Sequence, residues 1–173
     1  NIGYFAATRL ERQAEMSDRH YPPQLRDLPD SETAIDQRVN RLTINPEYED
    51  CQQEIYRSGV LARCFDDKDP APHELFFITQ YLLAKSDTST PCPLAIEDDT
   101  DLLLKKYAPE PIKNRYLPEI LRTDGHTLIC GTWATERHSG SDVGGTVTKA
   151  TPDGDLDNTF RLDGHQFFTS AYG

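Results

Sequence analysis

The hydrophobic period of this chain changes once, at the turn signal Thr123-Asp124-Gly125, and that change constrains the fold more than any other feature. Before the turn, apolar residues recur at helical spacings. From Glu47 onward Ile55, Leu61 and Phe65 share one broad face, and the segment stops at the polar run Asp66-Asp67-Lys68-Asp69-Pro70. A further helix is predicted from Pro72 to Lys85. Leu75, Phe76, Ile78, Thr79, Leu82 and Leu83 cover most of its circumference, so burial against several neighbours is expected. Ser86 to Pro93 reads as a linker in which Pro91 and Pro93 bracket Cys92, and Leu94 to Ile96 then leads through acidic residues into Leu102 to Leu104. The last helix, Glu110 to Arg122, presents Ile112, Tyr116, Leu117 and Ile120, and Pro118 within it predicts a kink or an early end.

The first fifty residues are thinner in core material. Tyr4, Phe5 and Leu10 can open a short helix that His20 to Pro23 break. Ile35, Val39 and Leu42 lie at spacings of four and three and predict a helix over Glu32 to Leu42, capped by Asp30 or Ser31. Pro46, following Asn45, marks another helix start. Beyond the turn, Thr127 to Trp133 favours strand and Thr146 to Lys149 alternates. Phe160 to Phe168 is strand-like around a hairpin turn at Asp163-Gly164, and Asp153-Gly154 is another turn. The expected fold class is therefore α+β, a helical domain followed by the opening strands of a β domain. Residues 1–45 are expected as a poorly packed lead-in, 46–124 as the N-terminal helical domain and 125–173 as the start of the β domain. Gly173 closes a strand-like run with nothing after it to pack against, so the chain is expected to be part of a longer one.

Hydrophobic residues make up 36% of the chain and charged residues 27%, a polar but globular composition. The formal charge is −11, from 29 acidic and 18 basic side chains, with no basic run. Displacing counterions from a duplex needs a concentrated basic surface, so nucleic acid is not expected as a partner of this portion. Cys51, Cys64, Cys92 and Cys130 are widely spaced without a CxxC pair, which argues against zinc or an iron–sulfur cluster. Reduced, mostly buried thiols are expected, pointing to the cytoplasm or an organelle matrix. No stretch approaches the roughly 20 apolar residues of a membrane span.

The stretch richest in chemical signals is Gly131 to Gly145, GTWATERHSGSDVGG. Its small residues offer backbone amides and hydroxyls that can approach a phosphate or the edge of a planar ring, and Trp133 can shield one face of such a ring. On the residues alone, a polar loop with two turns is the favoured reading at this point. Neither GxGxxG nor GxxxxGK[ST] occurs, and there is no GxSxG elbow. A second stretch, LDGHQFFTSAYG from Leu162, carries Phe167 and Phe168 side by side. In a strand they would face opposite sides, with Ser170 on the side of Phe168. An aromatic and a hydroxyl so paired can stack on a flat ring and bond its polar edge; a core phenylalanine and an exposed serine explain them equally well.

Together the two stretches resemble the paired flavin-binding signatures of the acyl-CoA dehydrogenase family. Thr135-Glu136, a spacer of Arg137-His138-Ser139, and Gly140-Ser141-Asp142 match the first, while Gly164, Phe168 and Ser170 match the second. The resemblance covers roughly residues 45 to 173. It implies a helical domain leading into a β-barrel-like middle domain and FAD as cofactor. Thr135 would bond the pyrimidine edge of the flavin, with Trp133 and Ala134 in the same wall. Gly140 and Ser141 would meet the pyrophosphate, Phe168 would pack on the isoalloxazine, and Ser170 would approach its N5/O4 side. An acyl-CoA or related thioester is the implied substrate and a homotetramer the implied assembly. No catalytic residue is assigned here, because the family's general base is a carboxylate of a later helical domain. Arg137, Phe168 and Ser170 depart from the commoner members. With the Pro91-Cys92-Pro93-Leu94 stretch, they resemble the divergent branch named for a DNA-alkylation-response protein. That branch carries an alternative implication, a non-catalytic stress-response flavoprotein acting through protein or nucleic-acid contacts of its remaining part.

The other candidates carry less. His73 and His126 are expected as surface or capping residues, and Lys105-Lys106 is too short a pair for a phosphate-binding face. Glu97, Asp98, Asp99 and Asp101 lack the loop spacing of a calcium site and are expected to be solvated.

Overall fold

The computed structural model describes residues 1–29, 38–154 and 159–170. The chain forms two compact units, one spanning Asn1–Cys130 and a second beginning at Gly131.

The first unit opens with α1 (Ile2–Phe5), a π-helical turn (Ala6–Leu10) and α2 (Glu11–Arg19). Asn1 caps the start, its side-chain oxygen accepting from the Tyr4 amide at 3.3 Å. Ala6, Leu10 and Gln13, at spacings of four and three, form one buried face. The expectation of a poorly packed lead-in is thereby corrected: Ala6 and Leu10 belong to the main core, with Ile2 and Phe5 packed against it. β1 (Gln24–Pro29) then pairs antiparallel with β2 (Arg38–Thr43), Leu25 standing opposite Leu42. Arg38 to Thr43 is thus strand, and the helix expected over Glu32 to Leu42 does not include it; the rest of that segment lies outside the described residues. Val39 and Leu42 satisfied a helical spacing by coincidence, and the pairing with β1 satisfies the backbone instead.

α3 (Pro46–Arg57) starts where expected. The Asn45 side chain accepts from the Glu47 amide at 3.1 Å, and Pro46 occupies the first turn, where no amide is needed. Gly59, at φ +66°, separates α3 from α4 (Val60–Cys64) in a conformation that a side chain would strain. α5 (His73–Ala84) and α6 (Pro91–Tyr107) follow, then α7 (Glu110–Ile120), which runs through Pro118 rather than ending before it. Leu10, Ile55, Leu61, Phe76, Leu83 and Leu94 form the centre of the core, each such burial contributing about 1.5–3 kcal/mol against exposure.

Three further expectations change here. α5 is not buried all round: Phe76, Thr79 and Leu83 face the core, whereas Leu75, Phe77, Ile78 and Tyr81 are exposed. The acidic residues 97–101 lie inside α6, and Glu97 and Asp101 are fully buried rather than solvated. Cys51 and Cys64 are buried, but Cys92 is exposed; all four thiols are free. Among the described residues no helix is long and apolar enough to cross a membrane.

The second unit holds β3 (Lys149–Pro152) and β4 (Phe160–Asp163), an antiparallel pair with Lys149 opposite Asp163 and Pro152 opposite Phe160. The hairpin connection follows Asp153-Gly154, with the Asp153 amide bonded to the Thr159 carbonyl at 2.9 Å. Asp163-Gly164 closes β4 and is not the hairpin turn. Residues 127–133 form no strand; the Leu128 amide is instead taken up by the Glu119 carbonyl of α7. Helices with short antiparallel strand pairs, one between α2 and α3 and one after α7, make this an α+β fold.

Candidate functional site

The second unit is organised around one buried carboxylate. Glu136 is 4% exposed, and its backbone pairs with Ser139 in both directions, at 2.9 and 3.2 Å, closing the turn through Arg137 and His138. Its side chain accepts the Val147 amide at 2.8 Å and the Thr148 amide at 2.9 Å, just ahead of β3. Hydrogen bonds from Thr148 and Val147 hold this carboxyl below the usual carboxylate range. Ser139, also buried, bonds the Asp142 carbonyl at 2.6 Å. Thr146 closes a short 3₁₀ turn, Val143–Gly145, through the Val143 carbonyl.

The segment after β4 returns to this loop. The Phe167 amide donates to the Thr135 carbonyl at 2.7 Å, and the Trp133 indole N–H donates to the Ser170 carbonyl at 2.8 Å. The Gln166 amide satisfies both its ends with its nitrogen toward the carbonyls of Thr135 (3.1 Å) and Trp133 (3.3 Å), its oxygen accepting from the Thr148 hydroxyl at 2.7 Å. Gly164 is required by close approach: a Cβ there would stand 2.0 Å from the Thr148 hydroxyl oxygen.

Two sequence stretches thirty residues apart thus form one shelf. Trp133 (48% exposed) and Phe168 (75% exposed) both present aromatic surface to solvent. Phe168 stands at φ +56°, a conformation costing a bulky residue on the order of 1–3 kcal/mol and persisting only where surrounding contacts enforce it. Phe167 meets it edge-on, ring centroids 4.3 Å apart. The expectation that these two residues lie in a strand and face opposite sides is corrected, because the backbone bends here and both rings are exposed. Ala134, Gly140 and Ser141 are exposed, and nothing lies within 4 Å of a Cβ built at Gly140. Thr135 and Ser170 are half-buried, joined to the shelf through their carbonyls. An aromatic surface beside open amides and hydroxyls suits a planar ring carrying a polar or phosphorylated tail. The roles of Glu136, Ser139 and Gln166 escape a sequence reading because each works through backbone partners.

The first unit holds a second polar cluster. Glu97 and Asp101, one helical turn apart on α6, are 0% exposed. Tyr56 donates its hydroxyl to Glu97 Oε1 at 2.8 Å; Glu97 Oε2 and both Asp101 oxygens accept no hydrogen bond. Burial, above all, pushes Glu97 up to about 8 and Asp101 up to about 7. Lys105 is committed to Asp67, at 2.8 Å, and to the Phe65 carbonyl. Asp98 lies 3.4 Å from His73 Nε2, and the His73 ring meets Phe65 edge-on. Among the described residues no group of three or more His, Cys, Asp or Glu could hold a metal ion.

No family model matches the chain. Acyl-CoA dehydrogenase family member 11 of Caenorhabditis elegans is 27% identical over 168 residues, which cover 94% of this chain and 26% of that protein. Mitochondrial isobutyryl-CoA dehydrogenase of Dictyostelium discoideum is 34% identical over 91 residues, 53% of this chain and 20% of that protein. Among solved structures, the apo form of Bd2924 superposes with a TM-score of 0.81 at 28% identity, over 96% of this chain and 33% of that one. The crystal structure of C. elegans ACDH-11 in complex with C11-CoA superposes with a TM-score of 0.78 at 26% identity, over 97% of this chain and 28% of that one. The chain spans about a quarter of the length of the curated relative that it matches almost end to end. The named dehydrogenases carry the likeness, and none of them points to the DNA-alkylation-response branch. Sequence and fold therefore agree in likening this chain to a segment of the acyl-CoA dehydrogenases.

Proposed function

We propose that this chain contributes the flavin-holding part of an FAD-dependent oxidoreductase that introduces an α,β double bond into an acyl thioester. The observation that carries the reading is the shelf itself. Hydrogen bonds from Trp133 to Ser170 and from Phe167 to Thr135 join the two signature stretches and leave aromatic surface exposed. Trp133, Ala134 and Thr135 would line one wall of the ring, Gly140 and Ser141 would meet the diphosphate, and Phe168 and Ser170 would cover the remaining ring surface. The strained backbone of Phe168 supports a role beyond packing, since its ring is 75% exposed and stabilises no core. When bound, FAD supplies the capacity to accept a hydride from the acyl chain. The residues of this chain bind and orient; Glu136, occupied by the Val147 and Thr148 amides, is not free to move a proton. The general base would come from the part of the relatives that this chain does not cover. Homotetrameric assembly and a reducing compartment, the cytoplasm or an organelle matrix, complete the reading; the four free thiols are consistent with the latter.

The test is a visible absorption spectrum of the protein desalted after incubation with FAD. Retained flavin absorption is expected, with Phe168→Ala and Trp133→Ala each weakening retention about tenfold, the order of one lost stacking contact. Absence of bound flavin in the wild-type chain would overturn the assignment. Addition of an acyl-CoA to the complete enzyme should bleach the flavin anaerobically, and its failure to do so would reject the thioester substrate.

A further inference from the structure

We infer that Glu136 is a positioning residue for the cofactor shelf, a carboxylate whose task is to set the shelf's geometry rather than to touch substrate. The inference rests on the flavin reading above and adds to it a residue in a role the two signatures do not themselves explain. Three segments meet at Glu136. Its backbone closes the turn with Ser139 and bridges to Gln166, while its side chain fixes Val147 and Thr148. The residue before it, Thr135, receives Phe167, and the Gln166 amide reaches back to Trp133 and Thr135. Every residue assigned to the ring therefore hangs from a segment that Glu136 ties down. The unit has little else to hold it: among its described residues only Glu136 and Ser139 are buried, and no apolar side chain is.

The chemistry demands a carboxylate. Two converging backbone N–H groups need two acceptor oxygens on one planar group, and both oxygens are used. Glutamine has the same shape but would turn an NH₂ toward one of these amides, donor against donor. Aspartate keeps both acceptors on a stem one methylene shorter, so it restores the bonding in part.

The experiment compares wild type, Glu136→Gln and Glu136→Asp, with the exposed Arg161→Gln as control. FAD affinity is measured by quenching of flavin fluorescence, the visible spectrum is recorded at saturating FAD, and amide exchange of Val147 and Thr148 is followed in the flavin-free protein. Glu136→Gln is expected to weaken FAD binding about tenfold or more, as for a buried donor left facing another donor. It should also alter the spectrum of the saturated complex and release both amides to exchange, while the helical circular dichroism stays unchanged. Glu136→Asp should fall between, which a loss of folding would not produce. If wild type and Glu136→Gln bind FAD with equal affinity and identical spectra, the inference falls and the flavin reading stands. If the wild-type chain takes up no FAD, the flavin reading falls and takes the inference with it.

Discussion

Two carboxylic acids in one turn of α6 define the residue scale. Glu97 and Asp101 are buried, Tyr56 satisfies a single oxygen of Glu97, and Lys105, one turn beyond Asp101, is bonded to Asp67 and the Phe65 carbonyl. An ionised carboxylate so enclosed is far costlier than a neutral one, which makes both groups hold their protons to higher pH than in water. In the unfolded chain they titrate in the ordinary range, at about 4. In the fold they do so at about 8 for Glu97 and about 7 for Asp101. Between those limits the folded state binds more protons than the unfolded one. This pair therefore makes stability fall as pH rises from about 4 to about 8 and contributes no slope outside that window. Glu97→Gln keeps an acceptor for Tyr56 and removes the titration. It is expected to match wild type near pH 4.5 and exceed it at pH 8 by on the order of 4 kcal/mol, the equivalent of that shift. Urea unfolding at the two pH values decides the matter, and equal slopes in wild type and variant would mean that Glu97 is ionised in the fold. None of this was legible in the sequence. A run of four acids within five residues looks like a solvated face, and only the folded chain reveals which two are buried.

At the scale of elements, legibility followed local chemistry. The start of α3 was readable because Asn45 and Pro46 act within their own turn. The cap also reaches further: Asn45 Nδ2 donates to Ser17 Oγ of α2 at 3.1 Å, so Asn45→Ala removes two interactions. A loss of about 1–2 kcal/mol is expected in urea unfolding, whereas Asn45→Asp, which keeps the cap acceptor, should lose less. The existence of α5 was equally plain, but its orientation was not. Its apolar residues surround the helix, and a period that marks no face cannot say which side is buried. The structure selects Phe76, Thr79 and Leu83. Phe76→Ala is accordingly expected to cost about 3–5 kcal/mol, whereas Phe77→Ala, at its exposed neighbour, stays within about 0.5 kcal/mol. Comparable losses at the two positions would mean that the helix is turned differently. β1 and β2 were missed because their pairing is a contact between two segments, one of which matched a helical spacing by accident.

The two units of the whole molecule are held by different forces. Asn1–Cys130 has an apolar core fed by the N-terminal π-helical turn and by α3 to α6, from Ala6 to Leu94. From Gly131 onward Trp133, Val143, Val147, Phe160, Leu162, Phe167 and Phe168 are exposed, and β3 and β4 bury no side chain on either face. A two-stranded hairpin without a core is marginal in water, so the second unit depends on the Glu136 hydrogen bonds and on whatever covers its apolar surface. The sequence announced the change from helix to strand, and spacing alone singled out the candidate site. It could not announce that the candidate site lies on a unit whose described residues bury no apolar side chain, since eight large apolar residues in forty ordinarily imply a core. Hydrogen exchange separates the two forces. Amides of α3, α5 and α6 facing the core are expected to exchange only by global opening, and those of β3 and β4 by local opening at much lower free energy. Val147 and Thr148 should be protected more than the hairpin and less than the core helices. Saturating FAD should slow exchange over residues 131–148 and 164–170 while leaving the α5 amides unchanged. Uniform protection across both units in the absence of ligand would contradict the division. An FAD effect confined to the helices would move the cofactor site away from the shelf.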